Sequence, residues 1–457
     1  MGEMMQKNIS DITICGAGIA GVSTAYSLAQ QGIRNITLID ELPPINLTSS
    51  RSTECYRNWW PDPEVLQLMN HSIDLLEALA DKTGNKFSLN RRGYLFVTAD
   101  ESRIKAMELR ARKISSLGAG PLRIHADLTS SSYKAHSPEG YADHQNGADL
   151  LIGSSLLNKY FPHLSEDSVA ALHVRRAGWM SAQQMGMLMF EEARAQGVNF
   201  RTGKVTHVEI NNNTIRSIEI DSSERISTGI FINAAGPFFK NIGALCQFDI
   251  PVTTELHLKV ALKDKLKAVP RDAPLLIWDD PQFLDWSEEE SISLASDPET
   301  RWLTESFPSG AHTRPEGGPD SDSVILLWEY QSQEMAPTIN PPLDDFYPEV
   351  ALRGMARMIP AFRGYFGRMP RPNLDGGFYT KSRDNRPIVG PTPINGIYLI
   401  GALSGYGIMS SCGVGDLLSH YISGSALPPY AKAFSLERFT DPAYLAWMET
   451  LSDSGQL

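Results

Sequence analysis

An apolar run, Ile12 to Cys15, is followed by Val22, Ala25, Leu28 and Ala29 at helical spacing and then by a second apolar run, Ile36 to Ile39. A strand, a helix closed by Gly32 and a second strand are expected in that order. A further helix is expected from Asp62-Pro63 to Gly84, with Val65, Leu68, Met69, Ser72, Leu76 and Leu79 along one face. Gly93 to Val97 reads as a strand, Glu101 to Ser116 as a charged helix, and a Ser-rich, His-containing stretch runs on to Leu150. Another helix is expected to begin at Gly178-Trp179-Met180 and stop at Gly197. Three short strands follow, Val198 to Thr202, Val205 to Ile210 and Thr214 to Ile220, the last two joined by an Asn211-Asn212-Asn213 turn suited to positive φ. Alternation returns at Val252 to Leu262. The acidic, Pro- and Gly-rich tract Trp278 to Ser323 reads as a surface insertion, Val324 to Glu329 as a strand and Pro348 to Met358 as a helix.

The break after the first strand carries the chemistry. Gly16, Gly18 and Gly21 form a G-x-G-x-x-G at the start of the first helix, and Asp40 ends the second strand, 40 − 16 = 24 positions after the first glycine. In such a β-α-β unit the first glycine permits the tight turn, the second lets a pyrophosphate approach the backbone, and the third lets helix and strand pack closely. The unpaired N–H groups of Ile19 and Ala20 at the helix start suit phosphate. A carboxylate at Asp40, with Glu41 beside it, suits both hydroxyls of an unphosphorylated ribose, so the ligand is FAD or NAD and not NADP.

Composition narrows the function classes. The 457 residues suffice for two domains, and 42% hydrophobic with 21% charged residues is a globular balance. A net charge of −12 without a basic stripe argues against nucleic acid. Cys15, Cys55, Cys246 and Cys412 are widely separated, which argues against zinc and disulfides, and no metal-ligand spacing is found among the ten histidines. A reducing, cytoplasmic setting is expected, since Met1 to Ser10 holds no secretory segment. The apolar stretch Ile397 to Leu418 is too broken by glycine and serine to span a membrane.

Four segments together resemble the D-amino acid oxidase and sarcosine oxidase superfamily of FAD-dependent amine oxidoreductases. They are Gly16 to Asp40; Ser49 to Trp60, including Ser52, Thr53 and Arg57; Ile232-Asn233-Ala234-Ala235-Gly236-Pro237; and Gly377 to Met409, with Asp384, Pro387, Gly390 and the run Gly401 to Ile408. The resemblance implies an α/β fold: a Rossmann-like, glutathione-reductase-type FAD-binding domain interleaved with an α+β, mixed-sheet substrate-binding domain. The expected FAD-binding parts are 8–90, 168–250 and 374–430, the substrate-domain parts 91–167 and 251–373, with 431–457 as a C-terminal extension. It also implies that Val205, Ala235 and Gly236 meet the adenine half of a noncovalent FAD. Gly401, Gly405, Gly407, Ile408 and Met409 are expected to meet the flavin, where a helix start would stabilise negative charge on the pyrimidine ring.

Two departures bear on the substrate. Sarcosine-oxidase-like members hold a carboxylate with an arginine, kept here as Arg57, and a lysine whose place Met409 takes. Glycine-oxidase-like members use an arginine where this chain has Tyr379. The cysteine that tethers FAD in monomeric sarcosine oxidases is replaced by Gly377. Arg57, Tyr379 and Tyr406 are therefore the expected substrate-site residues, with Trp59 and Trp60 as further walls and Lys259 as the cation proposed to assist O2; His257 and Arg314 lie on strands of the same domain, and His312 and Arg314 also fit surface or salt-bridge positions. The expected reaction is oxidation of a C–N bond of an amino acid or secondary or cyclic amine, with O2 or an electron-transfer acceptor. A neutral-amine oxidoreductase, a non-catalytic FAD-stabilised assembly protein and an NAD-linked dehydrogenase are the alternatives.

Overall fold

The computed structural model describes residues 9–450 except 130, 142–144 and 332. Two sheets organise the chain. The eight-stranded sheet runs Val205–Asn211, Thr214–Ile220, Glu224–Asn233, Ile9–Cys15, Ile36–Asp40 and Asn199–Thr202, with Ile397–Gly401 and Ile388–Pro391 branching from Glu224–Asn233. Ile9–Cys15 pairs in parallel with both Ile36–Asp40 and Glu224–Asn233, as the β-α-β reading requires. The nine-stranded sheet runs Asn373–Ser382, Val252–Lys263, Ser323–Leu327, Ala311–Glu316, Leu275–Trp278, Tyr94–Thr98, Ala170–Val174, Ala148–Ile152 and Leu122–His125. This is the mixed α/β two-domain arrangement expected from the sequence.

Local chemistry sets the helix ends. The Asp62 carboxylate accepts from the Glu64 and Val65 amides at 3.0 and 2.9 Å, Pro63 follows it, and Gly84 closes helix Pro63–Thr83 at φ 65°. Helices Ile19–Gln30 and Gly407–Ser423 pack so closely that a Cβ at Gly415 would lie 2.8 Å from Ser23. Their apolar faces join helix Pro63–Thr83 in one core, while a second core lies between the nine-stranded sheet and helix Tyr347–Met358. Among the described residues no helix is long and apolar enough to cross a membrane.

Three expectations shift. Ala177–Trp179 is a short strand paired with Cys55–Arg57, so the helix expected from Gly178 begins at Ala182, capped by Ser181. The tract read as a surface insertion supplies Ala311–Glu316, an inner strand of the nine-stranded sheet, because its arginine and proline sit in a buried, ion-paired setting. Strand pairing also carries Ala170–Val174 and Asn373–Ser382 into the nine-stranded sheet, across the borders drawn at 168 and 374.

The C-terminal turns are tied down by one buried carboxylate. Asp384 accepts from Arg438 Nε and Nη2 at 2.7 and 3.1 Å, from Tyr444 Oη and from Ser382 Oγ. Burial opposes its charge, but Arg438 and the two hydroxyls hold its pKa below the usual value. Asp384→Ala strands a buried guanidinium and should cost about 3–5 kcal/mol, read from denaturant midpoints. A depressed folded pKa means this contribution is complete above the unfolded value of about 3.9 and lost as pH falls through the folded one. The gap between wild type and variant should therefore narrow only in acid, and a gap that is constant down to pH of about 2 contradicts the assignment.

Candidate functional site

The three glycines of the first turn have distinct duties. Gly16 has φ 111°, and a Cβ there would lie 2.3 Å from the Ala234 carbonyl oxygen; a Cβ at Gly21 would lie 1.9 Å from the Gly16 oxygen. Those two positions are closed by the protein's own backbone. A Cβ at Gly18 would meet only Ser49 Oγ, at 3.2 Å, so this is where the backbone stays open to a ligand. Helix Ile19–Gln30 starts there without a side-chain cap from Gly18, and the Ile19 amide donates to Ser49 Oγ at 3.0 Å.

A second helix start opens on the same cleft. Gly407–Ser423 has no side-chain cap, and the loop before it holds Ala402 and Ser404 at φ 53° and 46°. Such left-handed residues persist only when over-determined. Here the Ser404 amide donates to Thr380 O at 2.9 Å, and Ser404 Oγ and Tyr406 Oη donate to Asn385.

Between the two helix starts lies a cavity of about 600 Å³. Gly16, Gly18, Ile19 and Ala20 line it at one helix, and Gly401, Gly405, Gly407 and Ile408 at the other. Asp40, Glu41, Ser52, Val205, Ala235 and Gly236 complete the expected set on its walls. Gly21 lies beneath as a packing glycine, while Thr53 and Met409 line a neighbouring cavity instead. Ser49, at the start of the second family segment, also lines the cleft, as do Lys204 in a loop and Asn241 in the short helix Phe239–Leu245, neither of which carries a motif. Asp40 does more than the sequence suggests: Oδ2 accepts from the Ala17 amide at 2.7 Å and Oδ1 from the Leu42 amide at 2.8 Å. Burial pushes its carboxyl up, against those two amides, and each oxygen keeps a further lone pair for a ligand.

The neighbouring cavity, of about 60 Å³, shares Tyr379 and Gly405 with the cleft. Arg57 reaches its wall from the short strand Cys55–Arg57, stacked 4.5 Å over Trp60 and 5.7 Å from the Tyr94 ring. Trp60 in turn meets Tyr406 edge-on at 5.1 Å. Tyr379 stacks on His257 at 3.9 Å, and that imidazole lies between Glu329 at 3.2 Å and Glu255 at 3.3 Å. Burial works against charge on His257, but the two carboxylates outweigh it and raise its pKa. Hydrogen bonding from His257 and Lys381 takes Glu255 down to about 2.

Other expected residues fall elsewhere. Lys259 lines neither cavity: its Nζ donates to the Ser52 carbonyl at 2.9 Å, supporting the loop from behind. Arg314 takes the salt-bridge position and not the surface one: it is 1% exposed, lies 2.7 Å from Glu316, and donates from Nε and Nη2 to Thr53 O at 3.1 and 2.7 Å. Trp59 faces a third cavity beyond Trp60, and Cys412 is buried in its helix, while Cys55 does reach the smaller cavity.

The residues present fit an FAD. Two helix starts offer N–H groups to phosphate and to the flavin pyrimidine edge, the first with its Ile19 amide already on Ser49 Oγ, and a half-buried carboxylate at a strand end offers acceptors to ribose. Comparison with known proteins agrees with that fit. The rat (Rattus norvegicus) mitochondrial dimethylglycine dehydrogenase is 21% identical over 97% of this chain and 46% of its own length, so the chain spans about half the length of the curated relatives it matches. Among solved structures, L-proline dehydrogenase from P. horikoshii superposes with TM-score 0.71 at 21% identity, covering 95% of this chain and 98% of the other. Glycine oxidase from Geobacillus kaustophilus does so with TM-score 0.71 at 14% identity, covering 94% and 99%. Residues 11–421 match the family described as FAD dependent oxidoreductase (DAO), and the chain belongs to that family.

Proposed function

We propose that this chain oxidises a C–N bond of a small amino acid, primary, secondary or cyclic, giving an imine that water hydrolyses. The carrying observation is the small cavity joined to the cofactor cleft at Tyr379 and Gly405, with a buried guanidinium and a carboxylate on its wall. A zwitterion suits that pair of charges, and a space of about 60 Å³ suits a small one. The names of the similar proteins, dimethylglycine dehydrogenase, proline dehydrogenase and glycine oxidase, support the same substrate class.

Bound FAD would supply the hydride-accepting, two-electron chemistry. The chain's own residues do the rest. Gly18, Ile19 and Ala20 would hold the pyrophosphate, Asp40 the ribose, and the Gly407 and Ile408 amides the pyrimidine edge. Arg57 anchors the carboxylate, and Tyr379 and Tyr406 exclude water and orient the carbon bearing the amine. Lys259 and Arg314 hold the Ser52–Thr53 backbone between the two cavities. O2 or an electron-transfer acceptor would close the cycle, and four buried free cysteines fit a reducing compartment.

We expect the FAD to be noncovalent. At Gly377 a Cβ would already lie 3.3 Å from Thr48 Cα, and the Cys55 thiol is kept protonated by burial. Acid precipitation should release the yellow colour; colour retained in the pellet contradicts this.

Asp40→Ala should weaken FAD binding roughly 10- to 100-fold, at about 1.5–3 kcal/mol per charged hydrogen bond lost. Because Asp40 also ties Ala17 and Leu42, the apoprotein should melt lower too. Unchanged flavin occupancy would argue against the ribose role.

Arg57→Lys should raise KM for the carboxylated member of a matched pair of amines and leave the decarboxylated member nearly unaffected, since a planar fork becomes a point charge. Equal loss on both members would remove the carboxylate anchor and favour the neutral-amine reading. An FAD-loaded chain that no amine bleaches anaerobically would favour the non-catalytic one.

A further inference from the structure

We propose that His312 is the proton acceptor of the reaction, its Nε2 taking the proton of the substrate ammonium in the small cavity. This rests on the functional reading above. His312 lies on the inner strand Ala311–Glu316 and is one of the residues lining the small cavity. Nδ1 lies 2.8 Å from the Gly310 carbonyl oxygen. A carbonyl only accepts, so Nδ1 carries the hydrogen and Nε2 is left as the ring's acceptor. Among the described residues, Nε2 has no hydrogen-bond partner.

The other titratable groups on this wall are unsuited to the task. Arg57 is a cation, and His257 is held as one between Glu255 and Glu329. Burial keeps the Cys55 thiol and the Tyr94, Tyr379 and Tyr406 hydroxyls protonated. Glu329 is anionic, but against its burial the His257 imidazolium lowers its pKa, which makes it a weak acceptor. His312 is different. Burial lowers its pKa, Glu329 opposes that, and Arg57 and Arg314 reinforce it, so the ring is neutral near pH 7 and available.

The step balances. The ammonium N–H bond breaks with its electron pair left on nitrogen, and the proton goes to Nε2. That pair forms the C=N bond as the adjacent C–H bond gives up both its electrons with the hydride, FAD being the two-electron oxidant. The imidazolium so formed has Glu329 near it as counter-charge, and returning the proton to solvent restores the ring.

The test uses the FAD-loaded protein and the amino acid that bleaches it fastest, with anaerobic reduction followed against pH. His312→Gln should slow reduction about 10²-fold near pH 7, the deficit closing about tenfold per pH unit as solution supplies free amine. Wild type should lose rate only as pH falls below about 6.5, where His312 takes up its proton. A deficit of the same size at every pH overturns the proposal, as does a variant that matches wild type throughout. A carboxylic acid of the same shape without the amine should perturb the flavin spectrum at equal concentration in both proteins; weaker binding by the variant makes His312 structural and overturns its catalytic role. Independently of turnover, the histidine NMR resonance missing from the variant should titrate below about 6.5 in wild type, and one titrating higher overturns the proposal. A wild-type flavin bleached by no amine overturns the functional reading and this assignment together, an outcome distinct from any failure of the variant alone.

Discussion

Arg314 has almost no exposed surface, and what satisfies its charge decides where the two cavities meet. Its guanidinium donates twice to the Thr53 carbonyl, lies 2.7 Å from Glu316 and 3.5 Å from Glu54, and covers the Trp179 ring at 5.1 Å. Removing the Glu316 carboxylate leaves a buried cation short of a partner, a cost of several kcal/mol. The loop at Thr53 is therefore not free to drift. Ser52 is set on the cofactor cleft, Thr53 on the small cavity, and the short strand that follows delivers Arg57 to the same wall. Lys259 reinforces the position from the adjoining carbonyl.

The charges on the small cavity are organised as neighbours rather than as isolated groups. Glu255 pairs across strands with Tyr379, and His257 with Gly377, so the imidazolium arrives from Val252–Lys263 and lies flat against the Tyr379 ring on the next strand. Where glycine-oxidase-like relatives place an arginine on the strand itself, this chain places an aromatic ring backed by a cation. That cation is held between Glu329 and Glu255, while Arg57 reaches the same wall from the short strand Cys55–Arg57. The result is a site in which protonation states near neutral pH are set by pairing and burial, with His312 as the group whose state changes.

Much of this was legible because it is local. The β-α-β unit, the Asp62 cap and the Gly84 stop are read within about a turn of the residues that cause them. Long-range pairing hid the rest. Ala311–Glu316 looked like surface because its tract is acidic and rich in proline and glycine, whereas Arg314 is buried by partners that are distant in sequence. Lys259 looked like a cation aimed at the cofactor because only the strand, and not the carbonyl it grips, can be read from spacing. Asp40 was seen as a ligand-binding carboxylate, yet its first partners are the amides of Ala17 and Leu42, a role any acidic residue at that strand end could conceal.

The strand Asn373–Ser382 shows why the two domains must interleave. It pairs with Val252–Lys263 over ten positions, and so belongs to the sheet that supplies His257. Its other contacts reach the opposite domain: Phe378 O accepts from Thr48 Oγ1, Thr380 Oγ1 donates to Gly236 O, and Thr380 O accepts from the Ser404 amide. Alternate residues of a strand face opposite sides, so anchoring Phe378 and Thr380 in the cofactor cleft also fixes how Tyr379 is presented to the small cavity. A slip of one residue would exchange those faces, removing the ring from His257 and orphaning the Ser404 loop that precedes the second helix start. Cofactor cleft and small cavity are thus two sides of one strand register, and a single chain segment has to cross from one sheet to the other to hold it.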